Sequence, residues 1–226
     1  MKKLNIIGKN FQALYSLNNF IMKENISIPI FPLNGVIFFP ETNLPLNIFE
    51  DRYLAMIDFA LTQNKMIGMI QLKENKKPYK IGCMGKISSF NKTNDGRYII
   101  NLTGQNYFKV SEEIFSKKQF REVNAVIHDN NDKLIKNQHV DEKEKNLLIE
   151  NYQSYISQIN QEINFDILKS IETPNLIKFI AMTCPFSIAE KQMLLETFNF
   201  NELVNKLNTL FYFYSSDQQN EKKIIN

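Results

Sequence analysis

The chain has 226 residues, of which 43% are hydrophobic, and its 18 Phe and 9 Tyr supply enough apolar surface for a packed core. This length predicts one domain with two subdomains. The 27 basic and 24 acidic residues give a net charge of +3, too even a balance for the electrostatic footprint of a nucleic-acid-binding protein. No apolar run reaches the roughly 18 residues of a membrane span. Gly8 and Lys9 interrupt the apolar start before a signal-peptide core forms, so we expect a cytoplasmic protein.

Residues 1–26 are an N-terminal extension without a strong hydrophobic period, and the first strand signal begins near Ile28. Prolines interrupt the apolar residues that follow, at positions Pro29, Pro32, Pro40 and Pro45. Because proline cannot donate to a β-ladder, we expect them at strand starts, edges or corners. The segment therefore predicts a sheet that bends sharply.

Strand signals dominate residues 27–128, which we predict to form a barrel subdomain. Residues 49–63 interrupt them with apolar side chains at helical spacing and predict one embedded helix. After the proline-bearing segment, the pattern predicts strands at 66–72, 81–90, 97–102, 107–110 and 119–127. The prediction is about six strands around one helix.

Two glycines mark changes of direction within these strands. Asp95-Gly96 predicts a two-residue hairpin turn of type I′, in which both central residues have positive φ. Gly104 predicts a sharp bend that separates the strand at 97–102 from the strand at 107–110.

The polar residues 129–139 predict a linker, after which the hydrophobic period becomes 3.6 and predicts a helical bundle at 140–215. The stripe from Leu148 to Ile163 predicts the first helix, and the last one ends near Tyr214, before a polar tail at 216–226. Two capping boxes open helices in this region, Asp141 with Glu144 and Ser187 with Glu190. Thr173 is expected to cap a third helix, with Pro174 at its first position.

Several blocks of this sequence resemble one known family. They are Ile28-Pro-Ile-Phe-Pro-Leu-Asn-Gly-Val-Ile-Phe-Phe-Pro40, Leu44-Pro-Leu-Asn-Ile-Phe-Glu-Asp-Arg-Tyr53, Pro78-Tyr-Lys-Ile-Gly-Cys-Met-Gly-Lys-Ile87, Gly104-Gln-Asn-Tyr-Phe-Lys-Val110 and Asn175-Leu-Ile-Lys-Phe-Ile-Ala-Met-Thr-Cys-Pro-Phe-Ser-Ile-Ala-Glu-Lys-Gln-Met-Leu-Leu-Glu196. Together they are similar to the N-terminal, substrate-binding domain of Lon proteases over residues 27–214. Glu41-Thr42 departs from the pattern, since a glycine often follows the first block in that family.

The resemblance implies an α+β fold, with an N-terminal PUA-like β pseudobarrel that contains one helix and a C-terminal helical bundle. It also implies a stand-alone member of the family, because the ATPase and protease domains of full-length Lon have no counterpart here. Gly85-Lys86-Ile87 is the nearest approach to a P-loop, but it has neither the hydroxyl residue nor a glycine at position 80. We therefore expect no catalytic residues, no cofactor, no ATP hydrolysis and no peptide cleavage.

Residue types that often carry chemistry have structural interpretations in this chain. His128 and His139 are expected to be exposed loop residues, and they lack the carboxylates or cysteines of a metal site. Cys83 and Cys184 are each flanked by apolar residues, which favours two buried free thiols over a disulfide.

Two charged clusters have similar interpretations. Glu50, Asp51 and Arg52 open the first helix, where acids suit the helix dipole and the arginine pairs with a neighbouring carboxylate. The lysines at positions 73, 76, 77 and 80 favour a solvated loop over a phosphate-binding patch, because only Tyr79 lies among them.

The first hypothesis for function is a non-enzymatic module that binds unfolded or apolar protein segments, linked to protein quality control and to a separate protease. This role requires an exposed apolar surface or a sheet edge, although no binding residue is assigned from the sequence. The alternative is an RNA-binding module, since PUA-like barrels often bind RNA and the chain is mildly basic. An uncharacterised hydrolase is disfavoured because no nucleophile is paired with a base.

Overall fold

The computed structural model describes residues 22–128, 139–159 and 163–224. Its strands are β1 (Met22–Pro32), β2 (Asn43–Ile48), β3 (Met66–Ile70), β4 (Ile81–Lys92), β5 (Tyr98–Ile114) and β6 (Arg121–His128). Its helices are α1 (Asp51–Thr62), α2 (Glu142–Gln158), α3 (Phe165–Ser170), α4 (Thr173–Thr183), α5 (Ile188–Leu195) and α6 (Phe200–Ile224). The contacts divide the chain into two units, one with the strands and α1 and the other with α2 to α6 and residues 35–37. The predicted α+β fold is confirmed.

The sheet closes on itself through β5. The strand order is β2-β5-β4-β3-β1-β6, and β6 also pairs with β5, so that β5, β4, β3, β1 and β6 form a ring. Among the described strands, only the β1–β3 pairing is parallel. The first half of β5 lies between β2 and β4, and the second half lies between β4 and β6. Ring closure protects most strand edges of this unit from solvent.

The interior of the ring is filled by aliphatic side chains around Phe108. The buried cluster contains Ile28, Ile30, Ile70, Met84, Phe108, Val110, Val123 and Ala125. A Cβ placed on Gly82 would lie 2.6 Å from Cζ of Phe108, and one placed on Gly68 would lie 2.9 Å from the same atom. These two positions therefore have to be glycine for the phenyl ring to fit between the strands.

Gly104 was predicted to separate two strands. Instead, β5 runs through it as one bent strand of 17 residues. The bend is a β-bulge: Gly104 pairs with Gly85 and Asn106 with Met84, which leaves Gln105 as the extra residue. A Cβ on Gly104 would overlap the carbonyl oxygen of Phe39. The glycine thus serves close approach between backbones rather than a chain break.

The hairpin between β4 and β5 forms at the predicted place, but its turn is not of type I′. Gly96 has a φ of 87°, whereas Asp95 does not have positive φ. The N–H of Gly96 donates to the carbonyl of Thr93 at 2.9 Å, and the N–H of Thr93 donates to the carbonyl of Arg97 at 2.9 Å. This geometry is that of a three-residue loop, a turn that ends in a left-handed glycine.

Aromatic stacking organises the core of the helical unit. Tyr155 of α2 packs on Phe211 of α6 at 5.2 Å between ring centroids, and on Phe186 at 5.8 Å. Tyr214 stacks on Phe186 at 5.7 Å, and its hydroxyl donates to Glu190 Oε2 at 2.8 Å. Because Glu190 also closes the capping box of α5, one carboxylate connects the start of α5 to α6.

Several helix ends differ from the predictions. The helix predicted up to Ile163 ends at Gln158, and α3 starts separately with Asn164 as its N-cap. Helix α4 is capped by Glu172 without a side-chain bond, and Thr173 is its first residue. The last helix continues to Ile224 through most of the predicted tail, where no Gly or Pro stops it. The predicted linker lies outside the described residues except for its last position.

The hairpin predicts a cost for side chains at Gly96. We expect Gly96→Val to lower the free energy of unfolding by about 1 to 3 kcal/mol, because a β-branched residue is strained at positive φ. No atom lies within 4 Å of the added Cβ, so the expected cost comes from the backbone conformation and not from a clash at that atom. Urea unfolding measures it, and an unchanged midpoint would mean that the loop adopts a different turn in solution.

The bulge in β5 predicts an effect of a different kind. Gly104→Ala should destabilise by about 3 kcal/mol, since the methyl group must displace the Phe39 carbonyl and disturb the bend that closes the ring. Gly96→Ala is the matched control, for which we expect about 1 kcal/mol because the space around it is empty. Equal losses for the two alanine variants, measured by urea unfolding, would contradict the steric account.

Burial of Cys184 predicts a loss of stability at alkaline pH. Burial raises the pKa of its thiol to about 12, although the Lys191 ammonium acts in the opposite direction. In the unfolded chain the thiol ionises above about pH 8.5, whereas in the folded protein it keeps its proton. The contribution of the buried thiol to the free energy of unfolding is therefore fully present below about pH 8.5 and is lost as the pH rises toward 12. We expect a loss of about 2 kcal/mol between pH 8 and 10. Urea unfolding of Cys184→Ala at both pH values should show a shallower dependence, and identical slopes would refute the assignment.

Candidate functional site

Glu50 and Arg52, at the start of α1, form a local ion pair. Arg52 Nη2 lies 2.6 Å from Glu50 Oε2, and both side chains are about half exposed. The guanidinium also lies 4.5 Å from the ring centroid of Tyr53. Arg52 therefore pairs with a neighbouring carboxylate as predicted, and the arrangement has the form of a helix start rather than an acid–base pair.

The lysine-rich loop between β3 and β4 is held by its own backbone. The N–H of Lys73 donates to the carbonyl of Lys77, and the N–H of Lys76 donates to the carbonyl of Lys73, both at 2.9 Å. Arg121 Nη1 donates to the Lys76 carbonyl at 3.1 Å. The lysine side chains are exposed, and Lys73 Nζ lies 5.5 Å from the ring centroid of Tyr79. These features fit the predicted solvated loop.

Both histidines were predicted to be exposed loop residues, and for His128 this prediction is wrong. His128 is the last residue of β6 and only 5% exposed, because the strand continues one residue past Ile127. Its ring packs edge-on against Tyr107 at 6.3 Å between centroids. His139 is exposed, and both Cys83 and Cys184 are free and buried, which confirms the thiol prediction. Within the described ranges, no group of three potential ligands could hold a metal ion.

Large apolar side chains remain exposed in both units. In the strand unit they are Phe49, Phe90, Ile99 and Phe115, and in the helical unit the most exposed are Leu147, Ile167, Tyr212 and Phe213. Phe90 and Ile99 are similarly exposed, at 49% and 51%, but they lie on opposite faces of the sheet, since Phe90 pairs with Ile100. The sequence placed Phe49 on the apolar face of the embedded helix, but α1 begins at Asp51 and Phe49 is exposed. The other exposed residues were not singled out, because a lone apolar residue in a polar segment has no distinctive spacing.

Two of the edges that the sheet leaves without a strand partner among the described residues lie at β2 and at the end of β4. One belongs to β2, which pairs only with β5. Because Gly104 N–H donates to the Thr42 carbonyl, the even-numbered residues of β2 bond to β5. The backbone groups of Asn43, Pro45 and Asn47 therefore face outward. Pro45 has no N–H to offer there, so this edge is blocked against a further strand.

The second free edge is the end of β4, which we call the β4 edge and define as residues 88–92. Strand β3 pairs with β4 only at residues 83–86, so the β4 edge borders β5 on one side alone. The bond from Thr93 N–H to the Arg97 carbonyl shows that the odd-numbered residues here bond to β5. The N–H and C=O groups of Phe90 and Lys92 consequently face outward. This edge contains no proline.

Two lysines flank Phe90 at the β4 edge. Lys65 Nζ lies 6.0 Å from the centroid of the Phe90 ring, and Lys92 Nζ lies 4.8 Å from the centroid of Tyr98. Asp58 of α1 lies 3.9 Å from Lys92 Nζ and accepts a hydrogen bond from the Tyr98 hydroxyl at 2.6 Å. That hydrogen bond is the main reason why the pKa of Tyr98 is raised. The β4 edge thus combines an exposed ring, outward backbone groups and a local excess of positive charge.

Curated relatives of this chain are Lon proteases. It is 28% identical over 217 residues to Lon protease of Buchnera aphidicola subsp. Baizongia pistaciae, which covers 90% of this chain and 27% of that protein. It is 30% identical over 210 residues to Lon protease of Flavobacterium johnsoniae, covering 88% of this chain and 25% of that protein. The chain therefore spans about a quarter of the length of these relatives.

Solved structures share the fold. The Lon N-terminal domain protein from Xanthomonas campestris matches with a TM-score of 0.58 and 19% identity, over 80% of this chain and 96% of that one. The N-terminal domain of Mycobacterium avium complex Lon protease matches with a TM-score of 0.59 and 16% identity, over 85% and 99%. None of the described helices is long and apolar enough to cross a membrane. Residues 27–211 match the family described as the ATP-dependent protease La (LON) substrate-binding domain, and the chain belongs to this family.

Proposed function

We propose that this chain is a non-enzymatic, cytoplasmic module that binds unfolded or apolar segments of other proteins and contributes to protein quality control by presenting them to a protease. The observation that carries the proposal is the β4 edge, where a half-exposed phenylalanine lies on a strand with outward backbone groups, in a family named for substrate binding. A folded partner buries its own apolar side chains and pairs its own backbone groups, whereas an unfolded segment has both available. The β4 edge therefore favours unfolded segments.

RNA binding, the alternative from the sequence, is not favoured by the comparisons with known proteins. Base recognition by aromatic stacking needs free ring faces. Several rings of the strand unit already carry a basic group of the same chain, with Lys118 Nζ at 3.9 Å from the Phe59 centroid and the Arg52 guanidinium at 4.5 Å from Tyr53. The net charge of +3 adds little general attraction for a polyanion.

Titration of a labelled, reduced and carboxymethylated protein tests the proposal, with the native form of the same protein as control. We expect binding only to the unfolded form, with a micromolar or weaker Kd, which corresponds to about 8 kcal/mol or less. A single copy of this module lacks the avidity of several linked copies, which is why the affinity should be modest.

The salt dependence of the affinity distinguishes protein binding from RNA binding. Raising the salt from about 0.05 to about 0.5 M should weaken binding of the unfolded protein by less than about fivefold, because apolar burial is not screened. Phosphate contacts lose affinity far more steeply. Binding of a labelled RNA pool at low salt, together with no binding of the unfolded protein, would refute the proposal.

A further inference from the structure

We propose that the β4 edge binds an extended client segment as an additional strand, and that it prefers segments in which an apolar residue is followed or preceded, two positions away, by a carboxylate. This inference rests on the proposed function and specifies its binding site and the class of segment bound. It concerns residues 88–92 together with Lys65.

The backbone of the β4 edge provides the hydrogen bonds for such a strand. The outward groups belong to Phe90 and Lys92, which are two residues apart, the spacing at which an incoming strand presents its own outward groups. An added strand therefore gains a short ladder without any rearrangement of β5. Main-chain bonds of this kind give affinity without sequence preference.

The side chains at this edge provide the preference. Phe90 and Lys92 lie on the same face of the sheet, because side chains two residues apart on a strand point the same way. A client residue beside Phe90 meets an exposed ring, and the client residue two positions along meets Lys92. Lys65 Nζ lies near the Phe90 ring, so the same face carries two ammonium groups against one carboxylate, that of Asp58, which lies 3.9 Å from Lys92 Nζ. A carboxylate on that face of the client is complementary to them.

The opposite face of the β4 edge is different. Ser89 and Asn91 lie there, and both are uncharged. Lys86 lies on that face too, but where β4 still pairs with β3, outside the edge. Alternation of the sheet thus gives the client strand one face that favours apolar and acidic residues and one face that favours neutral polar residues.

Three fluorescein-labelled peptides test the predicted pattern. The first contains Thr-Glu-Thr-Phe-Thr-Glu-Thr, which puts phenylalanine and both glutamates on one face of a strand. The second contains Thr-Thr-Glu-Phe-Glu-Thr-Thr, which has the same composition but moves the acids to the other face. The third replaces both glutamates of the first with lysine. We expect the first to bind about fivefold more tightly than the second and still more tightly than the third.

Paired variants assign the binding to the β4 edge. Phe90→Ser should weaken binding of the first peptide by about fivefold or more, whereas Ile99→Ser, an equally exposed apolar residue on the other face, should leave it unchanged. Reversing the charge with Lys65→Glu and Lys92→Glu should remove the preference for the first peptide over the third. Lys86→Glu is the control for that charge reversal.

The role of the backbone is tested by removing one outward donor. Lys92→Pro deletes an N–H that faces away from β5 and breaks no bond of the native ladder, while Lys92→Ala removes the charge alone. Lys92→Pro should bind more weakly than Lys92→Ala. In wild-type protein, hydrogen exchange at the amides of Phe90 and Lys92 should be fast and should slow when the first peptide binds, whereas the Asn91 amide is protected throughout.

The possible outcomes separate this inference from the proposed function. Binding of carboxymethylated protein that is unaffected by Phe90→Ser and by Lys92→Pro overturns the inference and leaves the proposed function intact. Equal affinity for the first and second peptides overturns the predicted pattern. Slow exchange at both amides in the free protein means that another segment or a second copy already covers the edge, which also overturns it. If neither the carboxymethylated protein nor any peptide binds, the proposed function itself fails.

Discussion

The fold of the strand unit depends on one strand serving two sets of neighbours. The first half of β5 pairs with β2 and β4, and the second half pairs with β4 and β6. The change takes place at Gln105, the extra residue of the bulge, next to Gly104, whose backbone lies against the Phe39 carbonyl. Without a Cβ at that point the strand can bend and the ring can close. With a Cβ, the loop before β2 and the bend would compete for the same space.

Closing the ring also determines where the sheet remains open. Strand β5 is longer than the ring requires, so its first half extends beyond β3. There it pairs with β2 on one side and with the end of β4 on the other. Each of these has one free side. Pro45 removes a donor from the β2 edge, but the β4 edge keeps the N–H groups of Phe90 and Lys92. The same long strand that completes the core therefore leaves one edge able to accept a partner.

Short-range signals in the sequence predicted much of this fold but not its edges. Asp95-Gly96 located the hairpin, yet the dipeptide suits loops of two and of three residues, and only the structure shows which one forms. Gly104 was recognised as a bend but taken for a break, because the approach of Phe39 is a long-range contact. The exposure of Phe90 was not predictable, since it depends on where β3 stops pairing with β4, and nothing in residues 88–92 encodes that point.

An open strand edge carries a risk, because two copies of the chain could pair through it. Edge-to-edge pairing of two β4 edges would bring Lys65 and Lys92 of one copy near the same lysines of the other, and like charges at that separation repel. An acidic segment meets attraction at the same place. The positive charges of the lysines around Phe90 thus disfavour self-association and favour a partner that carries a carboxylate. The specificity of the edge therefore includes a repulsive component as well as an attractive one.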